Sequence, residues 1–432
     1  METAVEHGAW VKFSTWTRGR AIQAVGTNAG APCLPFQGWR RFKEAFAPEL
    51  VEQAVIETRE ALSRELSGLI DPFGGSGTSA LAAQFLGLHP TTIEVNPFLA
   101  DLIEAKIAFY DFAKAATMFG QVVDAAAADN STEDPFPGAP ATFIEPGVDG
   151  RFIFSRKVAG RLAAYRRAID KVGDPAIRRL FRVILASVAI PVSNVVVSGK
   201  GRRYRRGAAA KLGDPDQVDR LFADGILAAF HDLRRYENRK CRSYSVLRGD
   251  ARALAESAEM ADVAVFSPPY PNSFDYTDVY NVELWILGYL TDAASNRTLR
   301  EATLRSHVQI KRDMSAGASQ STALAKSVEA LRAIRSQLWN TNIPDMVDAY
   351  ADDMRSIMLA LHGRLRPGGR MYMVVGDSRY AGVDVPVAQI LVEEAPALGY
   401  HVVRNEPFRS MRASPQQGGK AELPETLIVL SR

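Results

Sequence analysis

The most informative part of the sequence for the fold is Asp71-Pro-Phe-Gly-Gly-Ser-Gly-Thr78. A short apolar strand predicted at 67–70 runs into it, and its glycine-rich turn opens a helix predicted over about 78–87. A second strand is predicted at 91–95. A strand, a helix and a strand within about 30 residues are typical of two parallel strands joined by a right-handed crossover. The stretch therefore predicts an α/β fold with a mostly parallel sheet.

Elements on both sides of this unit extend the pattern. Upstream, 47–66 predicts an amphipathic helix with Pro48 in its first turn. A Leu-Arg-Pro-Gly-Gly segment at 365–369 predicts a turn before the strongest strand of the chain. Further strands are predicted at 244–247, 263–266, 371–375, 401–404 and 425–430. We therefore expect a doubly wound α/β domain, formed by 1–110 and 241–432 and interrupted by a mostly helical insert at 111–240.

Composition excludes several classes of protein. The chain has 432 residues, of which 47% are hydrophobic and 23% charged, and this balance is ordinary for a soluble globular protein. No apolar run approaches the roughly 20 residues of a membrane span, and the first residues do not resemble a signal peptide. Cys33, Cys241 and the six histidines show no metal-ligand spacing. We expect a cytoplasmic protein with no membrane contact and no metal.

Positive charge is concentrated in the insert. From Arg151 to Lys211 the chain has sixteen lysines and arginines against two acids, although the whole chain has a net charge of only +3. Such asymmetry indicates a polyanionic partner, whereas the alternative is a solvated helical face. The excess ends in a dense run that predicts contact with nucleic acid through Lys200, Arg202, Arg203, Arg205 and Arg206.

The glycine-rich turn predicts a nucleoside site. A phosphate-binding loop would need a lysine after Gly77, and the glycine spacing does not match a dinucleotide fingerprint. The acid Asp71 suits a positive amino group instead of a phosphate. Glu94 ends the second strand, where a carboxylate can accept hydrogen bonds from both hydroxyls of a ribose. S-adenosylmethionine carries both groups, so these residues predict it as the cofactor.

A second motif, Ser267-Pro-Pro-Tyr270, follows the apolar strand predicted at 263–266. Two consecutive prolines form a rigid, extended corner at the carboxyl end of the sheet, where ligands bind in this architecture. The corner presents a hydroxyl, carbonyl groups and an aromatic ring, which suit a planar base with an exocyclic amine. By itself, Pro-Pro-Tyr is equally consistent with a loop or a polyproline contact.

Together the two motifs resemble the amino-group DNA methyltransferases, which methylate N4 of cytosine or N6 of adenine. The resemblance implies a Rossmann-like sheet of seven strands with the last strand antiparallel, a target base flipped out of the duplex, and DNA as partner. It implies a catalytic tetrad of Ser267, Pro268, Pro269 and Tyr270. It places Asp71 near the amino group of the cofactor, Glu94 on its ribose and Asp250 near its adenine. The residues around the rest of the cofactor would be Phe46, Phe73, Gly75 and Gly77, and Gly376-Asp377-Ser378 would flank the target base.

The serine at the head of the tetrad favours cytosine N4, because in the family that this chain resembles serine is usual there in the cytosine-N4 members, and aspartate or asparagine in the adenine-N6 members. Adenine N6 and a base amine of RNA are the alternative targets. A nucleic-acid-binding protein with a vestigial methyltransferase fold is the non-enzymatic alternative. The 111–240 insert is the candidate DNA-binding and target-recognition region. The resemblance also allows a cognate restriction enzyme as a partner, whereas the sequence does not give the oligomeric state.

Overall fold

The structure is a computed structural model, and it describes residues 10–22, 31–40, 42, 45–198, 201–205, 213–272, 274–412 and 422–432. The helices are α1 (Phe13–Thr17), α2 (Pro48–Leu62), α3 (Thr78–Leu86), α4 (Pro97–Ile107), α5 (Phe112–Ala127), α6 (Arg156–Asp170), α7 (Pro175–Val188), α8 (Pro215–Arg235), α9 (Ala251–Leu254), α10 (Tyr276–Val279), α11 (Asn281–Ile286), α12 (Ala293–Glu301), α13 (Thr322–Ala333), α14 (Ile343–Arg364) and α15 (Val387–Glu394). The strands are β1 (Gly68–Asp71), β2 (His89–Glu94), β3 (Val195–Ser198), β4 (Gly201–Tyr204), β5 (Ser245–Arg248), β6 (Ala261–Phe266), β7 (Leu365–Gly376), β8 (Ser378–Tyr380), β9 (Val383–Val385), β10 (His401–Arg412) and β11 (Glu422–Ser431).

Seven of these strands form one sheet in the order β10-β11-β7-β6-β1-β2-β5. The five strands from β7 to β5 run parallel, whereas β11 is antiparallel to both of its neighbours. Helices cover both faces, since the buried apolar residues form two clusters that include alternate side chains of the central strands. The predicted fold class, including the antiparallel last strand, is confirmed.

The predicted turn at 365–369 is wrong, because this segment is the first part of β7. Leu365 pairs with Ala261 and Arg370 with Val263, so β7 has a bulge opposite the start of β6. Gly368 has a φ of +75°, a conformation that glycine adopts readily. The bulge is hydrogen-bonded to the end of β11, because Gly368 N–H donates to the Arg432 carbonyl. A segment rich in glycine and proline can therefore remain in a sheet when a neighbouring strand accepts the hydrogen bonds of its backbone N–H groups.

The strand order reverses between β1 and β6. From β1 the chain proceeds to β2 and β5 on one side, and from β6 it proceeds to β7 on the other. Ile70 is in register with Ala264, so the carboxyl ends of β1 and β6 lie side by side. In open α/β sheets, such a reversal leaves a crevice where ligands bind. The two motifs of the sequence both begin at this point.

The insert packs on one face of the sheet. Buried side chains of α5 to α8 belong to the same apolar cluster as those of α3 and α4, so the described part of the insert shares its core with the sheet domain. The division at 110 and 241 stays a prediction about the sequence. Two short strands, β3 and β4, form an antiparallel hairpin within the basic run, which the sequence did not predict as strands. No helix in the described part of the chain has the length and apolar character needed to cross a bilayer.

Much of the insert's positive charge is paired within the protein. Acids from outside the 151–211 segment bind its arginines. Arg161 pairs with Asp219 at 2.6 Å and Arg167 with Asp129 at 2.8 Å. Arg179 reaches Glu104 of α4 at 3.1 Å, which ties the insert to the sheet domain. The charge counted over 151–211 therefore overstates the unpaired positive charge, because acids that pair with its arginines lie outside that range.

Candidate active site

The glycine-rich loop between β1 and α3 has a conformation that requires glycine at two positions. Gly75 has a φ of +50° and Gly77 a φ of +80°. A Cβ atom at Gly77 would also come within 3.2 Å of the Ile103 backbone. Gly74 N–H donates to the Ile93 carbonyl at 2.9 Å, so the loop lies against the end of β2. This packing leaves the loop and the start of α3 at the carboxyl edge of the sheet.

Asp71 braces this loop. Its side chain is only 1% exposed and accepts hydrogen bonds from Phe73 N–H at 2.9 Å and from the Ser79 hydroxyl. Burial raises the pKa of Asp71 to about 6, although both hydrogen bonds act to lower it. The sequence analysis missed Ser79 at the start of α3, because no motif in the sequence indicates that its hydroxyl binds Asp71.

Glu94 lies beside the loop. Its Oε2 accepts from Gly75 N–H and its Oε1 from Asn96 N–H, each at 2.8 Å. Burial raises the pKa of Glu94 to about 7, and the nearby carboxylate of Asp71 also raises it. A carboxylate has about four acceptor positions, so two remain for a ligand. Glu94 can therefore accept from a pair of hydroxyls without giving up its contact to Gly75.

Two residues that the sequence analysis missed support the same loop. Lys106 of α4 is fully buried and donates to the Ser76 carbonyl at 2.6 Å. Burial lowers the pKa of Lys106 to about 7, and Asp232 opposes that shift. Phe42 lies over the loop, since a Cβ atom at Gly75 would be 3.3 Å from its ring. An unusual lysine in an apolar helix face was the available signal for Lys106.

The predicted cofactor residues Phe46 and Asp250 have partners of their own. Phe46 is 7% exposed and belongs to the apolar core next to α2. Asp250 caps α9 by accepting from Arg252 N–H at 2.9 Å. Asp250 also forms an ion pair with the Arg252 side chain at 2.6 Å. A ligand that contacts Asp250 must therefore compete with Arg252.

The Ser267-Pro-Pro-Tyr270 tetrad follows β6 directly. Pro268 is buried, whereas Ser267, Pro269 and Tyr270 are half-buried. The Ser267 Oγ and the Tyr270 Oη are 3.2 Å apart, and the Tyr270 hydroxyl donates to the Glu425 carboxylate at 2.8 Å. Strand β8 also stabilises this corner, because the buried Tyr380 hydroxyl donates a hydrogen bond to the Pro271 carbonyl at 2.7 Å.

The two motifs meet at the strand reversal. The rings of Phe73, in the glycine-rich loop, and Phe266, the residue before Ser267, lie 5.7 Å apart and tilted by 51°. This contact brings a loop suited to a nucleoside next to a tetrad suited to a base. No spacing in the sequence gives this distance, since the whole insert separates the two residues along the chain.

The aromatic residues that follow the tetrad and the segment that follows β7 lie in different surroundings. Phe274 and Tyr280 are 5% and 2% exposed, so they pack in the core, while the side chain of Tyr276 lies outside the described residues. Gly376 is in register with Glu425, which places the Gly376-Asp377-Ser378 segment next to the acid that binds Tyr270. Burial raises the pKa of Asp377 to about 6.

The basic hairpin lies next to this region. Strand β4 packs against α10, which begins six residues after Tyr270. Arg202 pairs with Asp278 of α10 at 3.4 Å, and Arg203 is exposed. Arg205 donates to the Ser193 carbonyl at 3.1 Å and so has a structural contact. The predicted contacts Lys200 and Arg206 lie outside the described residues.

Metal-ligand chemistry has no counterpart among the residues that the structure describes. No group of three or more histidine, cysteine, aspartate or glutamate side chains within those ranges is arranged to hold a metal ion. Cys33 is exposed and Cys241 half-buried, and both are free thiols.

Comparison with known proteins gives relatives over most of the chain. No protein-family model matches it. It is 24% identical over 407 residues to the type II methyltransferase M.AvaI of Nostoc sp., which covers 85% of this chain and 80% of that protein. It is 24% identical over 434 residues to the type II methyltransferase M.BsoBI of Geobacillus stearothermophilus, which covers 88% and 82%. Among solved structures, TrmN from Thermus thermophilus matches 89% of this chain and 48% of its own, with 13% identity and a TM-score of 0.28.

Proposed function

We infer that this chain is a DNA methyltransferase of the family to which these type II relatives belong, as its two motifs predicted. We propose that it transfers a methyl group from S-adenosylmethionine to the exocyclic N4 amine of a cytosine in DNA. The observation that carries this proposal is the contact between Phe73 and Phe266, which joins the cofactor loop to the tetrad. Adenine N6 is the alternative target.

The glycine-rich loop fits S-adenosylmethionine. The absence of side chains at Gly75 and Gly77 lets a ligand approach the backbone, and the N-terminus of α3 offers N–H groups. Glu94 retains acceptor positions for two ribose hydroxyls. Phe73 is half-buried at the mouth of the loop. Asp250 would contact the adenine only if its pair with Arg252 opens.

We propose that the tetrad acts by positioning the amine of the target base for attack on the methyl group. When bound, S-adenosylmethionine supplies a methyl group that is already activated by its sulfonium. The Ser267 hydroxyl and the Pro268 carbonyl would hold the amine so that its lone pair points along the line of attack, and the Tyr270 ring would stack on the base. Rate then comes from orientation and from fixed polar groups around a developing charge. No covalent bond from the protein to the base is needed.

Access to the tetrad requires the target base to leave the duplex. The basic hairpin supports this part of the proposal, because β4 packs against the helix that follows the tetrad. Arginines at that place suit the phosphates on either side of an extruded base. The 111–240 insert is thus the proposed DNA-binding region. Of its predicted contact residues in the hairpin, we propose Arg202 and Arg203 as the ones that bind phosphate. A cognate restriction enzyme stays a prediction.

The direct test is nucleoside mass spectrometry after incubation of the protein with DNA or RNA and isotopically labelled S-adenosylmethionine. We expect labelled N4-methylcytosine from DNA. If only N6-methyladenine appears, the choice of base is wrong and the methyl-transfer mechanism stands. Label in RNA alone would assign the enzyme to RNA, and label in neither polymer would contradict the enzymatic function.

We expect Glu94→Ala to weaken S-adenosylmethionine binding about ten- to a hundredfold, since a charge-assisted hydrogen bond contributes about 1.5–3 kcal/mol. Isothermal titration calorimetry would measure the change. Glu104→Ala is a matched control, because Glu104 is a carboxylate of α4 that faces Arg179 and Arg248 and not the loop. Unchanged affinity in a folded Glu94 variant would contradict the ribose contact.

The same calorimetry should depend on pH. Since the pKa of Glu94 is raised to about 7, its acceptor form is lost as the pH falls below that value. Affinity should therefore fall with decreasing pH, approaching about tenfold per pH unit if binding requires the carboxylate. Glu94→Gln should remove most of this dependence and leave a weaker one centred near pH 6, where Asp71 titrates.

We expect Arg203→Glu to weaken DNA binding and to reduce the slope of log K against log salt by about 0.9 for each phosphate that the arginine neutralises. Lys326→Glu is the matched charge reversal, since Lys326 is an exposed cation on α13, which packs with the other apolar cluster. Fluorescence anisotropy at several salt concentrations would measure both slopes. Equal slopes in the two variants would exclude Arg203 from the DNA interface.

A further inference from the structure

We propose that Glu425, held by Arg409, orders the hydrogen bonds of the tetrad so that the Ser267 oxygen is a fixed acceptor for the amine of the target base. This inference rests on the proposed function and names two positioning residues that lie far from both motifs in the sequence. They come from β11 and β10, the antiparallel edge of the sheet.

Glu425 is a buried carboxylate with both oxygens engaged. Its residue is 3% exposed, and it lies opposite Gly376 on one side and Arg409 on the other. Its Oε2 accepts from Arg409 Nε, and its Oε1 accepts from the Tyr270 hydroxyl at 2.8 Å. Paired with a guanidinium, this carboxylate is acceptor-only.

The direction of the remaining hydrogen bond follows from a proton count. The Tyr270 phenol has one hydrogen, and it donates that hydrogen in its bond to the Glu425 carboxylate. At the 3.2 Å contact between Ser267 and Tyr270, the serine must then donate. Its own lone pairs face away from the tyrosine and can accept only from a group that carries hydrogen, which an exocyclic amine does.

This arrangement explains how a serine can serve at the head of the tetrad. A free serine hydroxyl rotates and can point its hydrogen at the amine, which would repel the N–H groups and occupy the nucleophilic lone pair. The chain from Ser267 through Tyr270 to Glu425 prevents that rotation. It therefore gives a neutral hydroxyl the acceptor role that a carboxylate would have at the same position.

Glu425→Gln is expected to reverse the direction of the hydrogen bonds from Ser267 through Tyr270 to residue 425, with almost no change in side-chain size. Arg409 can only donate, so it retains the amide oxygen and turns the amide NH₂ toward Tyr270. The tyrosine must then donate to Ser267, and the serine hydrogen points at the amine. We expect kcat for methyl transfer to fall about tenfold or more, while KM for DNA and the affinity for S-adenosylmethionine change less than about twofold. Glu422→Gln, an exposed carboxylate on the same strand, should behave as the wild type.

A double-mutant cycle with Tyr270→Phe separates this role from simple packing. The phenylalanine retains the ring and removes the hydroxyl, so kcat should fall, and adding Glu425→Gln should change it by less than about twofold. Additive effects in the double variant, or a wild-type kcat in Glu425→Gln, would overturn the inference alone. If Glu425→Gln does not fold, Tyr270→Phe alone tests the same hydrogen bonds, and a wild-type kcat in that variant would overturn the inference. Absence of methylated nucleoside from the wild-type enzyme would overturn the proposed function as well.

Discussion

Tyr270→Ala is expected to lower kcat for methyl transfer by at least about a hundredfold. Stacking of a base on an aromatic ring contributes about 1–3 kcal/mol, and this variant also removes the hydroxyl that joins Ser267 to Glu425. Both losses act on the target base, so the affinity for S-adenosylmethionine should not change. Single-turnover kinetics with a DNA substrate would measure the chemical step without product release.

The series at this position gives the control. Tyr270→Phe keeps the ring and should retain more activity than Tyr270→Ala, because only the polar chain is lost. Equal rates for the two variants would show that stacking contributes nothing. A Tyr270→Ala enzyme as fast as the wild type would remove this residue from the active site.

Ser267→Ala is expected to lower kcat by about a hundredfold. The amine becomes positively charged as it attacks, and loss of one fixed polar group aimed at a developing charge typically costs about 10²–10³ in rate. Ser267 follows the buried strand β6 and is held by Tyr270, so its oxygen has little freedom to move. Because we propose that the serine contacts the base and not the cofactor, cofactor affinity should stay at the wild-type value.

Ser356→Ala is the matched control for this experiment, because Ser356 is an exposed serine of α14 whose hydroxyl donates within its own helix. It should leave kcat unchanged. If Ser267→Ala weakens S-adenosylmethionine binding and leaves the rate constant for transfer intact, the serine belongs to the cofactor site and the proposed orientation of the base is wrong.

These predictions give the antiparallel edge of the sheet a role in the site. The loop that we propose to bind the cofactor and the tetrad both emerge from parallel strands, whereas Glu425 and Arg409 come from β11 and β10. Glu425 is in register with Gly376, so it lies beside the end of β7. The sequence shows an acid at the start of a predicted strand that is apolar from Leu427 to Leu430, whereas the burial of that acid is seen only in the structure.

The charge run shows the limit of reading partners from composition. The sequence predicts a basic surface over 151–211, but Arg161, Arg167 and Arg179 are bound by acids that lie elsewhere in the chain. Only the tertiary structure determines which cations remain for DNA. Of the five predicted contacts, three lie within the described residues. Arg203 is exposed, Arg202 forms an ion pair with Asp278, and Arg205 donates a hydrogen bond to the Ser193 carbonyl.

Local sequence patterns predicted the seven strands of the sheet, the glycine-rich loop after β1 and the tetrad after β6. These are local properties, since apolar strand patterns, glycines with positive φ and consecutive prolines act within a few residues. Only the folded structure shows that the rings of Phe73 and Phe266 pack together and that the Tyr270 hydroxyl donates a hydrogen bond to Glu425. Each of these contacts joins groups on different elements, and their distances depend on strand order and register, which no local pattern encodes.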